Sequence, residues 1–351
     1  MSITARSNPR ATRKPPATVP LSEHDLGAPA TAVLSWEHGF VFASGDGQLA
    51  FATTDFKSAT TTYVHTGAIL CAAVDERRDV ILSGGDDGRL CRTDPTGDVT
   101  EITRTDRRWV EHVAVSTTGA LAWSSGKRLN LQGARGPASA FELPGSVGGL
   151  AFSAKSNRLA AAHSGGVSIY EPDTQKEQAP DLLDWKGGYL GVSWSPDDRY
   201  IVTPMWDGAA RVWLLRDGEG FTLGGYLAPP RSLSWSTKGN RLVTSGAQQA
   251  MLWSLRGKNA LTKPSEGRAW RPALVSAVAF GPNDSFFALG YSDGAILLAQ
   301  VADMNAILVR PASRNPIAGL AWSPDGLRLA YSQEDGRVGI ADFTLFAEPK
   351  A

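Results

Sequence analysis

The sequence predicts an all-β protein built as a closed ring of four-stranded blades, a β-propeller. Three observations predict it. A phrase of about 40 residues recurs eight times in the 351-residue chain, and self-similarity at this period marks repeat architectures. Within each copy, apolar runs alternate with polar positions and are bounded by Gly, Pro, Asp and Asn, the signature of short strands and tight turns. No stretch carries a capped helical period.

The clearest copies are residues 320–330, Leu-Ala-Trp-Ser-Pro-Asp-Gly-Leu-Arg-Leu-Ala, and residues 192–202, Val-Ser-Trp-Ser-Pro-Asp-Asp-Arg-Tyr-Ile-Val. They run on to Asp335-Gly336 and to Asp207-Gly208. Each copy has an apolar anchor, a polar turn, an apolar run, a second turn bearing Gly or Asp, and a third apolar run. The anchors are Trp36, Val74, Val115, Phe152, Trp194, Trp235, Phe280 and Trp322, spaced 37 to 45 residues apart. This gives three strands per copy, a, b and c. The b–c turns at 44–47, 85–88, 164–166, 292–294 and 334–336 hold glycine, and most hold Asp-Gly, which tolerates the positive φ of tight hairpins.

A fourth strand, d, fits between each c and the next a. Its candidates are 59–64, 99–104, 138–143, 181–185, 221–227, 260–263 and 306–309. The eighth copy has almost no chain after Phe343, while the segment 18–26 precedes the first a strand without a partner. The two defects cancel if the N-terminal segment completes the last blade, which leaves only short, protected sheet edges. The first and third copies are degraded, with a shortened turn after Trp36 and Ser-Thr-Thr-Gly at 116–119. Eight blades are expected, with seven as the alternative.

Phrases such as His65-Thr66-Gly67 before a strand, Trp-Ser-Pro-Asp-Gly at 322–326, and Trp-Asp-Gly-Ala-Ala-Arg-Val-Trp at 206–213 resemble the WD40 family of β-propellers over roughly residues 18–345. The terminal Trp-Asp pair that names the family is absent, and only Trp213 and Trp253 hold the strand-c Trp, with Tyr170 as a stand-in. The resemblance implies that the hydrogen-bond tetrad stapling family blades is incomplete in most copies. It also implies that His65 bonds across to Asp86 or Asp87.

At this length a single core usually splits, but a propeller adds small inter-blade cores instead. One propeller domain over 18–345 is therefore expected, with a disordered tail over 1–17, which carries four basic residues, three prolines and no acid, and a short tail over 346–351. The 35 basic and 35 acidic residues give zero formal charge, which argues against nucleic-acid or anionic-membrane attraction. Cys71 and Cys91 fall on strands a and c of one blade. Two strand spacings of about 4.8 Å put them beyond the roughly 7 Å a disulfide allows. Two free, buried thiols follow, in keeping with a reducing compartment. No run is long and apolar enough to span a bilayer, and the N-terminus lacks the apolar region of a secretory signal, so a cytoplasmic location is expected.

Catalytic signals are sparse. Residues 162–166, Ala-His-Ser-Gly-Gly, imitate a nucleophile elbow, but a strand follows them where that motif needs a helix. The Gly-rich 83–88 has no following Lys-Ser/Thr, and its two carboxylates would repel phosphate. The five histidines fall in separate copies or flanks, without metal-ligand spacing. No catalytic residue, cofactor or metal is expected.

Sorting the eleven tryptophans by register is more informative. Trp36, Trp194, Trp235 and Trp322 are strand-a anchors. Trp123, Trp213 and Trp253 lie on strands b or c. The other four fall in loops: Trp109, Trp185 and Trp270 precede a strands, and Trp206 occupies a b–c turn. In a propeller the d–a and b–c loops emerge on one face, and the WD40 resemblance implies that partners bind there. The expected partner-binding face comprises Trp109, Glu111, Trp185, Tyr189, Trp206, Arg231, Trp270, Arg271, Tyr291 and Glu334. Aromatic and Arg side chains are the types enriched at binding hot spots. The chain is therefore expected to be a non-enzymatic scaffold that docks a protein or peptide, as a monomeric propeller within a complex. One alternative is a propeller hydrolase or lactonase using Glu111, His112, His163 and Glu334 at the channel mouth. A second is a nucleic-acid binder that stacks bases on the aromatics and meets phosphate with Arg231 and Arg271.

Overall fold

The structure, a computed structural model, describes residues 19–106, 108–172, 179–255, 264–266 and 270–346. The tail expected over 1–17, the end of the chain past Phe346 and the strand candidate 260–263 lie outside the described residues. Eight four-stranded antiparallel sheets follow one another around a ring. The first and third copies are full blades, so the count is eight rather than seven.

Blade 1 runs from strand Ala30–Trp36 to strand Ala59–Tyr63, blade 2 from Ile69–Asp75 to Val99–Arg104, blade 3 from His112–Val115 to Ala138–Glu142, blade 6 from Leu233–Trp235 to Ser265–Glu266 and blade 7 from Val275–Phe280 to Ala306–Arg310. Blade 4 comprises Gly149–Phe152, Leu159–His163, Gly166–Tyr170 and Asp181–Asp184. Blade 5 comprises Ser193–Trp194, Tyr200–Pro204, Ala210–Leu214 and Gly220–Leu223. In blade 6 the outer strand is Ser265–Glu266, paired with Met251 and Leu252. Blade 8 takes Ile317–Trp322, Arg328–Gln333 and Arg337–Asp342 from one end of the sequence and Leu21–Asp25 from the other. Leu21 pairs with Ala341 and Asp25 with Arg337, so the N-terminal strand closes the ring as expected.

The repeat phrase explains itself in the a–b turns. Where Ser follows the anchor, as it does in five copies, it folds back on the turn. Ser195 Oγ donates to Asp197 Oδ1 at 2.7 Å and accepts from Tyr200 N at 2.9 Å. Ser323 does the same with Asp325 (2.5 Å) and Arg328 N (3.0 Å). In the degraded third copy Ser116 still accepts from Ala120 N at 3.0 Å, with Gly119 at φ +90°. In the first copy the shortened turn is a two-residue hairpin between Trp36 and Gly39. Both copies lost the consensus letters and kept the turn.

Eight apolar clusters supply the core, each filled from two consecutive blades. Ala162, Val167 and Ile169 of blade 4 meet Trp194, Ile201 and Trp213 of blade 5 in one of them. Val202, Val212 and Leu223 meet Leu242, Met251 and Trp253 in the next. Three of the four anchor tryptophans also bind backward across blades, Trp36 being the exception. Trp194 Nε1 donates to Ala151 O (3.0 Å), Trp235 Nε1 to Ser193 Oγ (3.0 Å) and Trp322 Nε1 to Ala279 O (3.1 Å). Such bonds satisfy the one polar atom of an otherwise apolar anchor.

Cys71 and Cys91 are free, separated by the b strand that carries Ser83 and Gly84. Burial pushes the thiols up, to about 12 for Cys71 and about 11 for Cys91. Cys71 is half-buried rather than fully buried, because the inner strands line the channel.

Candidate functional site

The d–a connections and b–c turns are tied together by backbone hydrogen bonds, which place them on one face. Val110 N donates to Gly85 O (3.0 Å), Trp206 N to Gly188 O (3.0 Å), Leu227 N to Gly246 O (2.9 Å) and Ser313 N to Asp293 O (2.9 Å). The loops that carry the expected residues therefore share a face, but the residues themselves do not form a single cluster.

Beneath this face the stapling groups differ from blade to blade. In blade 2, His65 Nδ1 donates to Asp87 Oδ1 (2.9 Å), and its Nε2 lies 2.9 Å from Ser83 Oγ. Burial works against the Asp87 carboxylate, but hydrogen bonds from His65 and from the Arg89 and Thr66 amides prevail and hold it below its ordinary range. Asp87, not Asp86, is the partner. In blade 6, Tyr226 and Trp253 converge on Thr244 Oγ1 at 2.9 and 3.1 Å. In blade 7, Arg271 grips Asp293 through Nη2 (2.6 Å) and Nε (2.9 Å). Replacing His65 by Ala should cost about 1–3 kcal/mol, because Ser83 and Asp87 are left without their buried partner. A drop in melting temperature, with faster amide exchange confined to blade 2, checks this.

Two of the exposed tryptophans of the face lie at blade 5 and its border with blade 4. Met205 N donates to Ala209 O at 2.9 Å, closing a turn in which Gly208 takes φ +79° and Trp206 occupies the tip. The Trp206 indole lies over Gly188, where an added Cβ would sit 3.1 Å from its Cδ1. Its other neighbour is Arg231, whose guanidinium carbon is 5.1 Å from the ring centroid. Trp185 leaves the outer strand of blade 4 and receives the guanidinium of Arg211 at 3.8 Å. Trp206 is 59% exposed and Trp185 41%. Each stack is worth about 0.5–2 kcal/mol, enough to hold a guanidinium in place but not to bury it.

Several expected residues have other tasks. Tyr189 and Tyr291 are buried in inter-blade cores, so neither is available to a partner. The Tyr189 hydroxyl donates to Trp185 O, and thereby props the loop that presents Trp185. Trp270 is partly buried against the core between blades 6 and 7, and Arg271 is neutralised by Asp293. Glu111 accepts from Gly126 N at 2.6 Å. Trp109 and Glu334 are exposed, at the entrance to blade 3 and the b–c turn of blade 8. The sequence reading missed Arg211. Its neighbours Ala210 and Val212 pack inward, so strand alternation could have shown that Arg211 faces the other way.

The residues of the enzyme alternative do not converge on a ligand. His112 Nε2 donates to Val147 O at 3.1 Å. His163 Nδ1 accepts from Gly165 N, while Nε2 donates to Ser168 Oγ at 2.8 Å. Burial lowers both imidazoles from their ordinary range. Among the described residues no group of three or more His, Cys, Asp or Glu side chains could hold a metal ion.

The comparisons agree with this architecture. The WD40 family, described as "WD domain, G-beta repeat", matches residues 56–92 and 186–213. The second match contains Trp206, Arg211 and Trp213. The chain is a WD40-repeat protein. It is 21% identical to Autophagy-related protein 16 of Arabidopsis thaliana over 51% of this chain and 35% of that protein. It is 24% identical to mouse F-box-like/WD repeat-containing protein TBL1X over 39% of this chain and 25% of that one. It is 26% identical to Actin-related protein 2/3 complex subunit 1A of Arabidopsis thaliana over 31% and 29%. The chain thus spans about a third or less of the length of the curated relatives it matches.

Proposed function

We propose that this propeller is a non-enzymatic scaffold that docks a protein or peptide on the face built from d–a connections and b–c turns, centred on blades 4 to 6. One observation carries the reading. Trp185 and Trp206 are exposed at loop tips, yet each is held by a stacked Arg and a supporting loop contact. Exposed aromatic clusters on such surfaces mark contact sites, and Trp and Arg dominate hot spots. Relatives support protein association in general: one is by name a subunit of the Actin-related protein 2/3 complex. The whole of 18–345 would act as one domain. Two free thiols, kept protonated by burial, suit a reducing compartment such as the cytoplasm.

The test is quantitative affinity purification from the native cell with wild type and with Trp185→Ala/Trp206→Ala. A control, Leu345→Ala/Phe346→Ala, alters exposed residues past the last c strand, at the opposite face. The tryptophan variant should lose a defined set of partners at unchanged melting temperature, while the control keeps them. Equal recovery with all three proteins would refute the proposed face.

A further inference from the structure

The Trp-Arg stacks also carry information about the chemistry of the partner. Arg211 and Arg231 differ from the carboxylate-paired arginines of the ring. Arg271 is paired with Asp293, Arg310 with Glu23, Arg89 with Glu101 and Arg78 with Asp75. Neither Arg211 nor Arg231 has a carboxylate partner among the described residues. Arg211 makes one long side-chain bond, Nη1 to Thr222 Oγ1 at 3.3 Å, and its Nε has no partner. Stacking covers a face of a guanidinium and leaves donors in its plane; Nε of Arg211 is buried, so the Nη1–Nη2 end is the edge left to grip a carboxylate in bidentate fashion.

The two stacks form one band. Trp185 follows the outer strand of blade 4 and lies on Arg211 of blade 5, while Trp206 of blade 5 lies beside Arg231, ahead of the inner strand of blade 6. The band therefore runs over blade 5 from the rim toward the channel. Its flanks hold Lys186, Asp184 and Asp207, all exposed. With the two arginines the local charge is three positive against two negative, or +1. That modest excess, with acids interleaved, suits a few carboxylates. It does not suit a phosphate backbone, whose dense charge calls for more cations than Lys186 and the two arginines supply.

We propose that the Trp185–Arg211 and Trp206–Arg231 stacks bind an acidic segment of a protein partner, with apolar side chains on the indoles and Asp or Glu carboxylates on the guanidinium edges. This rests on the docking reading above and narrows it to one class of partner.

The experiment uses the full chain and an array of labelled peptides in which acidic, neutral or basic side chains flank an apolar centre, with labelled oligothymidylate as a separate probe. Fluorescence polarisation should show binding to the acidic peptides alone. Arg231→Glu and Trp206→Ala should each weaken it by about tenfold or more, as removal of a hot spot does. Arg231 is exposed, so its substitution is compatible with folding, and thermal melts verify that. Preference for neutral or basic peptides, silence of the acidic set, affinity unaffected by both substitutions, or binding of oligothymidylate instead would each overturn the proposal. Affinity purification separates the two readings. Partners lost from Trp185→Ala/Trp206→Ala but retained by Arg211→Glu/Arg231→Glu would sink the acidic segment and leave the docking face standing. Partners retained by both variants would sink both.

Discussion

Deleting residues 1–26 should lower the melting temperature by roughly 5–10 °C, while deleting 1–14 should leave it nearly unchanged. The described contacts of the N-terminus begin at Val19, which packs with Leu21 into the core between blades 7 and 8. Leu21–Asp25 forms the fourth strand of blade 8. Asp342 N donates to Pro20 O at 2.9 Å and Leu26 N to Gly336 O at 3.0 Å. Gly336 has φ +93°, and a Cβ there would fall 2.3 Å from Ala28 O, so the last b–c turn is built for this close approach. The longer deletion strips Val19, Pro20, the strand Leu21–Asp25 and Leu26, and exposes Arg337–Asp342 as an open edge. Each buried apolar side chain lost is worth about 1.5–3 kcal/mol, so two or three suffice for the expected shift. Calorimetry on both truncations checks it, and equal melting temperatures would remove the closing strand from the account.

Replacing Arg310 by Met should be the most damaging single substitution, at about 3–5 kcal/mol, because it breaks a buried hydrogen-bonded charge network from one side. The Arg310 side chain is 5% exposed, at the end of the outer strand of blade 7. Its guanidinium donates to Glu23 Oε1 (2.9 Å), Gly294 O (2.7 Å), Ser313 Oγ (2.8 Å) and Gln333 Oε1 (2.9 Å). The Tyr331 hydroxyl also donates to Glu23, at 2.5 Å. One residue thus joins blade 7, blade 8 and the closing strand. Methionine fills part of the volume but satisfies none of these acceptors, and urea denaturation should show the loss. Glu23→Gln should be milder, because Glu23 is 44% exposed on its side chain.

The network also sets a pH dependence. Burial works against the Glu23 carboxylate, but hydrogen bonds from Tyr331 and Arg310 prevail and hold it below its ordinary value of 4.5. A carboxyl lowered in the folded state contributes stability above the unfolded value and loses it as pH falls through the folded one. The stability gap between wild type and Glu23→Gln should therefore be full at neutral pH. It should shrink as pH falls below 4.5. A gap that widened on acidification would reverse the assigned sign.

The ring, the blade count and the closing strand were legible because each depends on short-range pattern. Anchor spacing, Asp-Gly turns and alternation survive even where Val115 replaces Trp, since a capped turn needs only Ser116 and Gly119. Loop position also puts Trp185 and Trp206 at the surface, where the structure has them exposed. It failed for Tyr189 and Tyr291, because lying near a loop does not fix where a side chain points. Tyr291 ends the b strand Phe286–Tyr291 and follows its inward alternation. Tyr189 bridges to Met205 and packs beside Trp213. Arg310 left no local signal at all. Its meaning comes from Glu23, 287 residues away in sequence, and only ring closure brings the two together.

The docking face is the centre of the functional account, and its most direct test is a footprint. Hydroxyl-radical oxidation of the free protein and of its partner complex, purified from the native cell, would be read by mass spectrometry at each exposed side chain. The account predicts that Trp185 and Trp206 are oxidised in the free protein and shielded in the complex, while Leu345 and Phe346 stay equally reactive in both. Trp185 and Trp206 as reactive in the complex as in the free protein, with protection elsewhere, would contradict it.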